Sequence, residues 1–424
     1  MTATITTLDN GLRVASVSMP FLETVSVSCW VDVGSRYETI AQSGATHMLE
    51  HMVFKGTRAR TARQIAEDIE VVGGHLNAYT SRDQTTFYAR VLKEDTPLAV
   101  GLLADILQNA LLDPEEISRE RDVILQELGQ THDTPDDIIF DFLQEAAFPD
   151  QAIGRSILGT EESVEGMTAD RLRSYHSRHY RPGATVIAAA GRVDHDALVD
   201  EVAAQFTNLP KGEPSDFERA QYRGGHVYDV RPLEQVHLAI AFPAVSFHDP
   251  KFYAVQILAT MLGGGMSSRL FQEVREERGL AYSVYAFAGA HQDTGLFTIY
   301  AGTSPQKADE ALRVIAGEVQ AVSRIGDEDE LARAKAQLKA GLFMALESST
   351  AQAEQLGRQL LIFGRPISTS EIVEEIDRLT LADIATTAEQ LLCSQKPTFA
   401  AVGPVEKVMD YETLSSVFQG TTCD

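Results

Sequence analysis

The chain repeats its own pattern at half-chain spacing, and that confines it to two related units. Asp83-Gln84-Thr85-Thr86-Phe87-Tyr88-Ala89-Arg90 leads through Lys93-Glu94-Asp95-Thr96-Pro97-Leu98-Ala99 into an apolar helical stretch. Asp293-Thr294-Gly295-Leu296-Phe297-Thr298-Ile299-Tyr300 leads through Ser304-Pro305-Gln306-Lys307-Ala308-Asp309-Glu310 into another, and Asp293 follows Asp83 by 210 residues. The strand-like run Val25–Val31 has a counterpart in Gln235–Ala241 at the same spacing. A repeat of this size decides architecture, and 424 residues exceed a single ordinary core. Short alternating strands followed by amphipathic helices predict an α+β fold, two homologous domains each with an antiparallel-rich sheet and helices on one face. The join is expected in Leu209–Asp216, where proline, glycine and charge cluster without periodicity. The expected domains are residues 1–212 and 213–424.

Chemistry concentrates in Thr46-His47-Met48-Leu49-Glu50-His51. On a helix, His47 and His51 stand four apart on one face, as two ligands of one tetrahedral metal require. Glu50 falls at the edge of that face, within reach of a water beside the metal and placed as a general base. The order His-x-x-Glu-His is the inverzincin signature. A buried helix with two satisfied histidines is the competing reading, and a third ligand from another element decides between them.

The segment Pro114–Leu128 supplies candidates. Pro114 suits a first turn, Glu115 and Glu116 suit the positive end of a helix, and Ile117, Val123, Ile124 and Leu128 predict an apolar face. Glu120 and Glu127 lie two turns apart on one face, so both can be aimed at one place. In the second half, Met261-Leu262-Gly263-Gly264-Gly265 stands where the first has its histidines, and it offers no ligand. No Gly-Lys-Ser/Thr follows, so a turn before the helix bearing Arg275 is expected there, not a phosphate loop.

His47-x-x-Glu50-His51 with Glu127 76 residues further on resembles the pitrilysin or insulinase superfamily of zinc peptidases, nearest the mitochondrial processing peptidase branch and its bacterial relatives. The likeness continues through Phe54-Lys55-Gly56-Thr57, Asn77-Ala78-Tyr79-Thr80, His179-Tyr180-Arg181-Pro182, Gly263–Leu270 and Val274–Tyr282, covering essentially the whole chain. It implies that His47, His51 and Glu127 bind one Zn2+ per chain, that Glu50 is the base and that Glu120 supports a ligand. It also implies that Arg275 and Tyr282 stabilise the oxyanion. By the same likeness, Asn77, Ala78 and Tyr79 lie on an edge strand that receives substrate as an added strand. The competing readings from the residues alone are a solvated helix acid for Glu120 and a turn residue in an ordinary internal strand for Asn77.

The implied function is zinc-dependent endopeptidase activity on unfolded peptides held in a closed chamber, by a homodimer or by a heterodimer with a homologous subunit. The alternative is a non-catalytic scaffold or partner subunit of a heteromeric peptidase or a respiratory complex. A net charge of −25 excludes nucleic acid as a natural partner and favours basic peptides, unless the acidity serves only solubility. The apolar runs are too short for a membrane span, and Met1–Leu8 has no signal-peptide character. Cys29, Cys393 and Cys423 form no disulfide framework, so a cytoplasmic location is expected.

Overall fold

The computed structural model describes residues 3–212, 215–324, 326–393 and 395–420. Eleven strands form two sheets. The first sheet contains β1 (Ala3–Thr7), β2 (Arg13–Ser18), β3 (Thr24–Val31), β4 (His75–Thr80), β5 (Thr85–Leu92) and β6 (Thr185–Gly191). The second contains β7 (His226–Val230), β8 (Val236–Ala244), β9 (Ala281–Ala290), β10 (Gly295–Thr303) and β11 (Thr398–Gly403). Their orders are β1-β2-β6-β3-β5-β4 and β7-β11-β8-β10-β9. Without β1 the two are one topology. A single parallel pair, β2 with β6 or β7 with β11, opens a sheet that is otherwise antiparallel. The α+β class and the doubled design are as expected.

The glycine ending β6 refines how the halves correspond. Gly191 and Gly403 have φ of 129° and 128°. A Cβ at Gly191 would meet Thr24 O at 2.2 Å, and one at Gly403 would meet Gln235 O at 2.5 Å. Thr24 therefore matches Gln235, and Val25 matches Val236, one residue from the uniform spacing. The hairpin turns keep it, since Ser81 N–H donates to Gln84 O and His291 N–H to Thr294 O.

The chain forms two compact units, Met1–Gly129 with Arg155–Glu218 and Phe343–Ile367, and Gln130–Gly154 with Arg219–Leu342 and Ser368–Asp424. The division expected at 212/213 rests on the sequence repeat alone, and the compact units cross it: each includes a helix from the other half of the chain. Glu213 and Pro214, within the expected join, lie outside the described residues, as does Cys423. Among the described residues no helix is long and apolar enough to cross a membrane.

In the first unit one sheet face buries Val25, Val27, Cys29, Phe87 and Ile187. Four helices are placed by that core or its rim: α1 (Ala45–Met52), α2 (Ala62–Glu70), α3 (Thr96–Asn109) and α4 (Pro114–His132). The opposite face is small-residue surface, Ala15, Val186, Ala188 and Ala190 around Trp30, and the helix Ser349–Phe363 lies on it through Ala353, Leu356 and Leu360. Helices thus occupy both faces, beyond the one anticipated, because alanines leave a flat apolar surface that would otherwise stay wet. Arg13 Nη1 donates to Leu360 O at 2.7 Å, and Ser26 Oγ lies 3.0 Å from Ser349 Oγ. In the second unit α5 (Pro135–Ala147), from the first half, has the same role against Ala239, Ala241, Ala400 and Val402.

Gly357 lets the helix Ser349–Phe363 sit against Trp30, for a Cβ there would come within 2.3 Å of the indole. Gly357→Ala should lower stability by about 1–3 kcal/mol through overpacking. The loss should shrink in a Trp30→Leu background, as a double-mutant cycle of thermal or denaturant unfolding would show.

Candidate metal centre

α1 is only two turns long and would not persist alone. Its start is fixed from outside the helix. Glu38, buried upstream of it, accepts Gly44 N–H at 2.8 Å on one carboxylate oxygen and Thr46 N–H at 2.7 Å on the other. Two orphan amides of the first turn thereby find an acceptor. Arg155 donates to the Glu38 carbonyl, and Thr46 Oγ1 shares a 2.7 Å hydrogen bond with the buried Tyr175 hydroxyl. Ala45, Met48, Leu49 and Met52 pack inward, leaving His47, Glu50 and His51 for chemistry.

α4 carries the remaining donors. Asp113 Oδ1 accepts Glu115 N–H at its start. Ile117, Glu120 and Ile124 are buried at helical spacing and Leu128 packs partly on the core, whereas Val123, expected in the apolar face, is 44% exposed. The buried stripe runs through the acid Glu120, and Glu127, one heptad further on, is half-exposed.

His47, His51 and Glu127 each present one ligand atom, and these lie within 4.8 Å of one another. Glu127 Oε2 is 3.6 Å from His47 Nε2 and 3.7 Å from His51 Nε2. Donors around a tetrahedral zinc with bonds near 2.0–2.2 Å stand about 3.3 Å apart, so these atoms are spaced to share an ion and not to hydrogen-bond each other. The donor set, two imidazoles and a carboxylate, fits zinc.

Outer partners fix the imidazole of His51. His51 Nδ1 lies 3.0 Å from Glu120 Oε2, and Lys55 Nζ reaches the other oxygen of Glu120 at 2.6 Å. Donation from Nδ1 to Glu120 leaves the Nε2 lone pair of His51 facing the centre. Glu120 is 5% exposed, which removes the solvated-acid reading. Burial, with His51 adding to it, pushes the His47 imidazolium down to about 4, which leaves the neutral, ligating form at physiological pH. Its Nδ1 is buried without a hydrogen-bond partner among the described residues.

Glu50 is half-buried, and burial raises its carboxyl above the ordinary value while the bond from Thr80 opposes that shift. Thr80 Oγ1 donates to Glu50 Oε2 at 2.6 Å. Thr80 ends β4, the free edge of the first sheet. Along β4, His75, Asn77 and Tyr79 are exposed and Leu76, Ala78 and Thr80 face inward. Ala78 N–H is held by Asn77 Oδ1 at 2.8 Å, and the Tyr79 hydroxyl donates to Glu354 at 3.3 Å beside an edge-on contact with Trp30. A cavity of about 560 Å³ adjoins Gly74–Asn77, lined also by Ile65, Tyr88, Ala353 and Glu354.

In the second unit, Arg275 lies on the helix Phe271–Glu277 with its guanidinium 5.0 Å from the Tyr282 ring centre and 4.7 Å from that of Phe271. Tyr282 is 76% exposed on β9, the edge of its sheet. The structure thus gathers His47, Glu50, His51, Glu120 and Glu127 in one unit and joins Arg275 to Tyr282 in the other. Sequence reasoning missed Glu38, Lys55, Thr80 and Glu354 as contributors. Lys55 and Thr80 sit inside quoted motifs, but Glu38 and Glu354 carry no local signal.

A family model described as insulinase (peptidase family M16) matches residues 13–161, and one described as the peptidase M16 inactive domain matches residues 166–338. The chain is 39% identical over 401 residues to an uncharacterised zinc protease of Rickettsia bellii, covering 94% of this chain and 97% of that one. It is 39% identical over 427 residues to a probable mitochondrial-processing peptidase subunit beta of Arabidopsis thaliana, covering 96% and 79%. Its fold is similar to that of a protease from Helicobacter pylori, with TM-score 0.89, 22% identity and coverage of 95% and 99%. A chain of complex III from Candida albicans gives TM-score 0.88 at 23% identity, covering 98% and 99%.

Burial pushes the Glu38 carboxyl from its ordinary 4.5 up to about 7, against the bonds from Thr46 and Gly44 and the Arg155 charge. The raised value means that the folded state binds this proton more tightly than the unfolded chain. Its contribution is full at low pH and is lost as pH rises through about 7. In metal-free protein, the stability of wild type relative to Glu38→Gln should fall between pH 5 and pH 8, by no more than about 3 kcal/mol. Urea unfolding of both proteins across that range checks the slope.

Proposed function

The chain belongs to the insulinase family, M16, of zinc peptidases, and on that premise we propose that it is a zinc-dependent endopeptidase acting on extended, unfolded peptides. The observation that carries this reading is the convergence of His47, His51 and Glu127 with Glu50 beside them. A subunit kept only as scaffold has no use for three intact donors and an oriented acid.

Bound by His47, His51 and Glu127, zinc would supply a Lewis acid and bring the pKa of a water near neutrality. Glu50 takes the proton of the attacking water and returns it to the leaving amine. Glu120, salt-bridged to Lys55, holds the His51 ring in one tautomer and one orientation. The free edge of β4 pairs with the substrate backbone, with Asn77 releasing the Ala78 N–H as the peptide arrives. Such pairing needs an extended chain, which selects unfolded peptides. Arg275 and Tyr282 donate toward the oxyanion. The net charge of −25 favours basic peptides through long-range attraction.

Purified without chelator, the protein should contain one zinc per chain by elemental analysis. Glu50→Gln should keep that zinc and lose about 10²–10⁴-fold in turnover, while His51→Ala and Glu127→Gln should weaken zinc binding itself. Near-normal turnover by Glu50→Gln would remove the base assignment.

We also propose that the enzyme is a homodimer whose active sites are shared between chains, each zinc half completed by the Arg275/Tyr282 half of the other copy. Support comes from the separation of the two groups, the three donors in one unit and Arg275 with Tyr282 in the other; the relative named as a processing-peptidase subunit beta supports the alternative, a heterodimer with a homologous subunit. Mixing inactive Glu50→Gln and Tyr282→Phe under subunit exchange should restore activity in proportion to mixed dimers, because one of their two sites carries neither lesion. Mixed dimers as inactive as the parents would place the two groups in cis.

A further inference from the structure

We propose that Thr80 is a positioning residue for the general base: the strand that offers its edge to the peptide also holds the Glu50 carboxylate in its working orientation. The inference rests on the reading of Glu50 as base. Its structural ground is the 2.6 Å hydrogen bond from Thr80 Oγ1 to Glu50 Oε2, which joins the last residue of β4 to the helix bearing His47 and His51.

Thr80 is suited to the role by what fixes it. It has one side-chain rotor and sits next to a turn closed by Ser81 N–H and Ser81 Oγ, both donating to Gln84 O at 2.8 Å. That turn is tied to the segment before α1, since Ser35 N–H donates to Ser81 O and Arg36 N–H to Arg82 O. The buried Arg36 guanidinium donates to the Asp83 carboxylate at 2.9 Å. Two residues beyond Arg36, Glu38 grips the amides of Gly44 and Thr46. A single bracket, residues 35–38, therefore fixes both ends of the Thr80–Glu50 contact. A glutamate left to itself has several rotors, and freezing them at the moment of reaction costs rate. A donor on a rigid strand settles that orientation beforehand, which is how a stiff scaffold supports a flexible catalytic group.

Thr80→Val keeps the shape and strand preference of the residue and removes only the donor, and Thr80→Ser keeps the donor. With fluorescein-labelled casein as an unfolded substrate, Thr80→Val should lose about 10–100-fold in kcat, part of the full general-base contribution, with KM changed less than about 2-fold. Zinc content should stay at the wild-type level, as should the affinity of the zinc-free protein for the labelled casein. Thr80→Ser should return kcat to within about 3-fold of wild type. Wild-type kcat in Thr80→Val, or a loss in Thr80→Ser as large as in Thr80→Val, would overturn the proposal. A change confined to KM or zinc content would also overturn it, by making the role structural. Glu50→Gln measured alongside separates the two readings. If it is inactive while Thr80→Val is not, only the positioning role fails; if it is active, the base assignment fails with it.

Discussion

The arrangement depends on one buried carboxylate. Glu38 gives α1 a fixed beginning by accepting hydrogen bonds from the amides of Gly44 and Thr46, and a two-turn helix without that anchor has little to define its first turn. Everything chemical on α1 is counted from there. His47 follows Thr46 directly, and Glu50 and His51 are one turn further on. A buried acid is costly, and the fold offsets the cost with two amide bonds and a nearby Arg155. Substituting an apolar residue would avoid that cost but would leave both amides without a partner. The result would be a helix free to slide by fractions of an ångström, at a centre whose donors stand 3.6 and 3.7 Å apart.

What the sequence disclosed followed from how local its signals are. The spacing of His47, Glu50 and His51 is a helical-face argument that needs only five consecutive residues. The pairing of Glu120 with Glu127 needs only one helix. The doubled sheet was legible because strand and helix patterns recur at nearly constant spacing. Glu38 was not legible: its partners lie six and eight residues away across a bend, where no periodicity operates. Val123 misled because helical spacing alone does not tell a core stripe from a rim, and the buried stripe of α4 passes through the acid Glu120, which His51 and Lys55 satisfy. The exchanged helices were invisible too, since an amphipathic pattern names the face a helix buries but not the sheet that buries it.

That exchange also explains a feature of the candidate substrate edge. The helix Ser349–Phe363 supplies Glu354 to the surroundings of Tyr79, so a residue from the second half of the sequence helps shape the strand beside the first half's candidate metal ligands. The small side chains on the outer sheet face make it possible. Ala15, Ala188 and Ala190 leave a shallow surface, and Gly357 removes the last obstruction against Trp30. The alanines of β6 and the glycine of a helix more than 150 residues later are thus parts of one fit.

The two units share a strand order but treat the contact between helix and edge strand in different ways. In the second unit the helix Phe252–Gly263 precedes the β9–β10 hairpin as α1 precedes β4–β5. There Gly263 brings backbone against backbone, and a Cβ on it would meet Ala286 N at 2.3 Å and Ala286 Cβ at 2.8 Å. No side chain fits in that gap, so no ligand or base can be presented through it. In the first unit the contact between α1 and β4 includes a side-chain bridge, Glu50 reaching from the helix and Thr80 from the strand. The bridge sets a polar contact at the rim of β4, while glycine in the other unit brings the helix backbone onto its strand. One topology therefore joins helix to edge strand through polar side chains in one unit and through close backbone packing in the other.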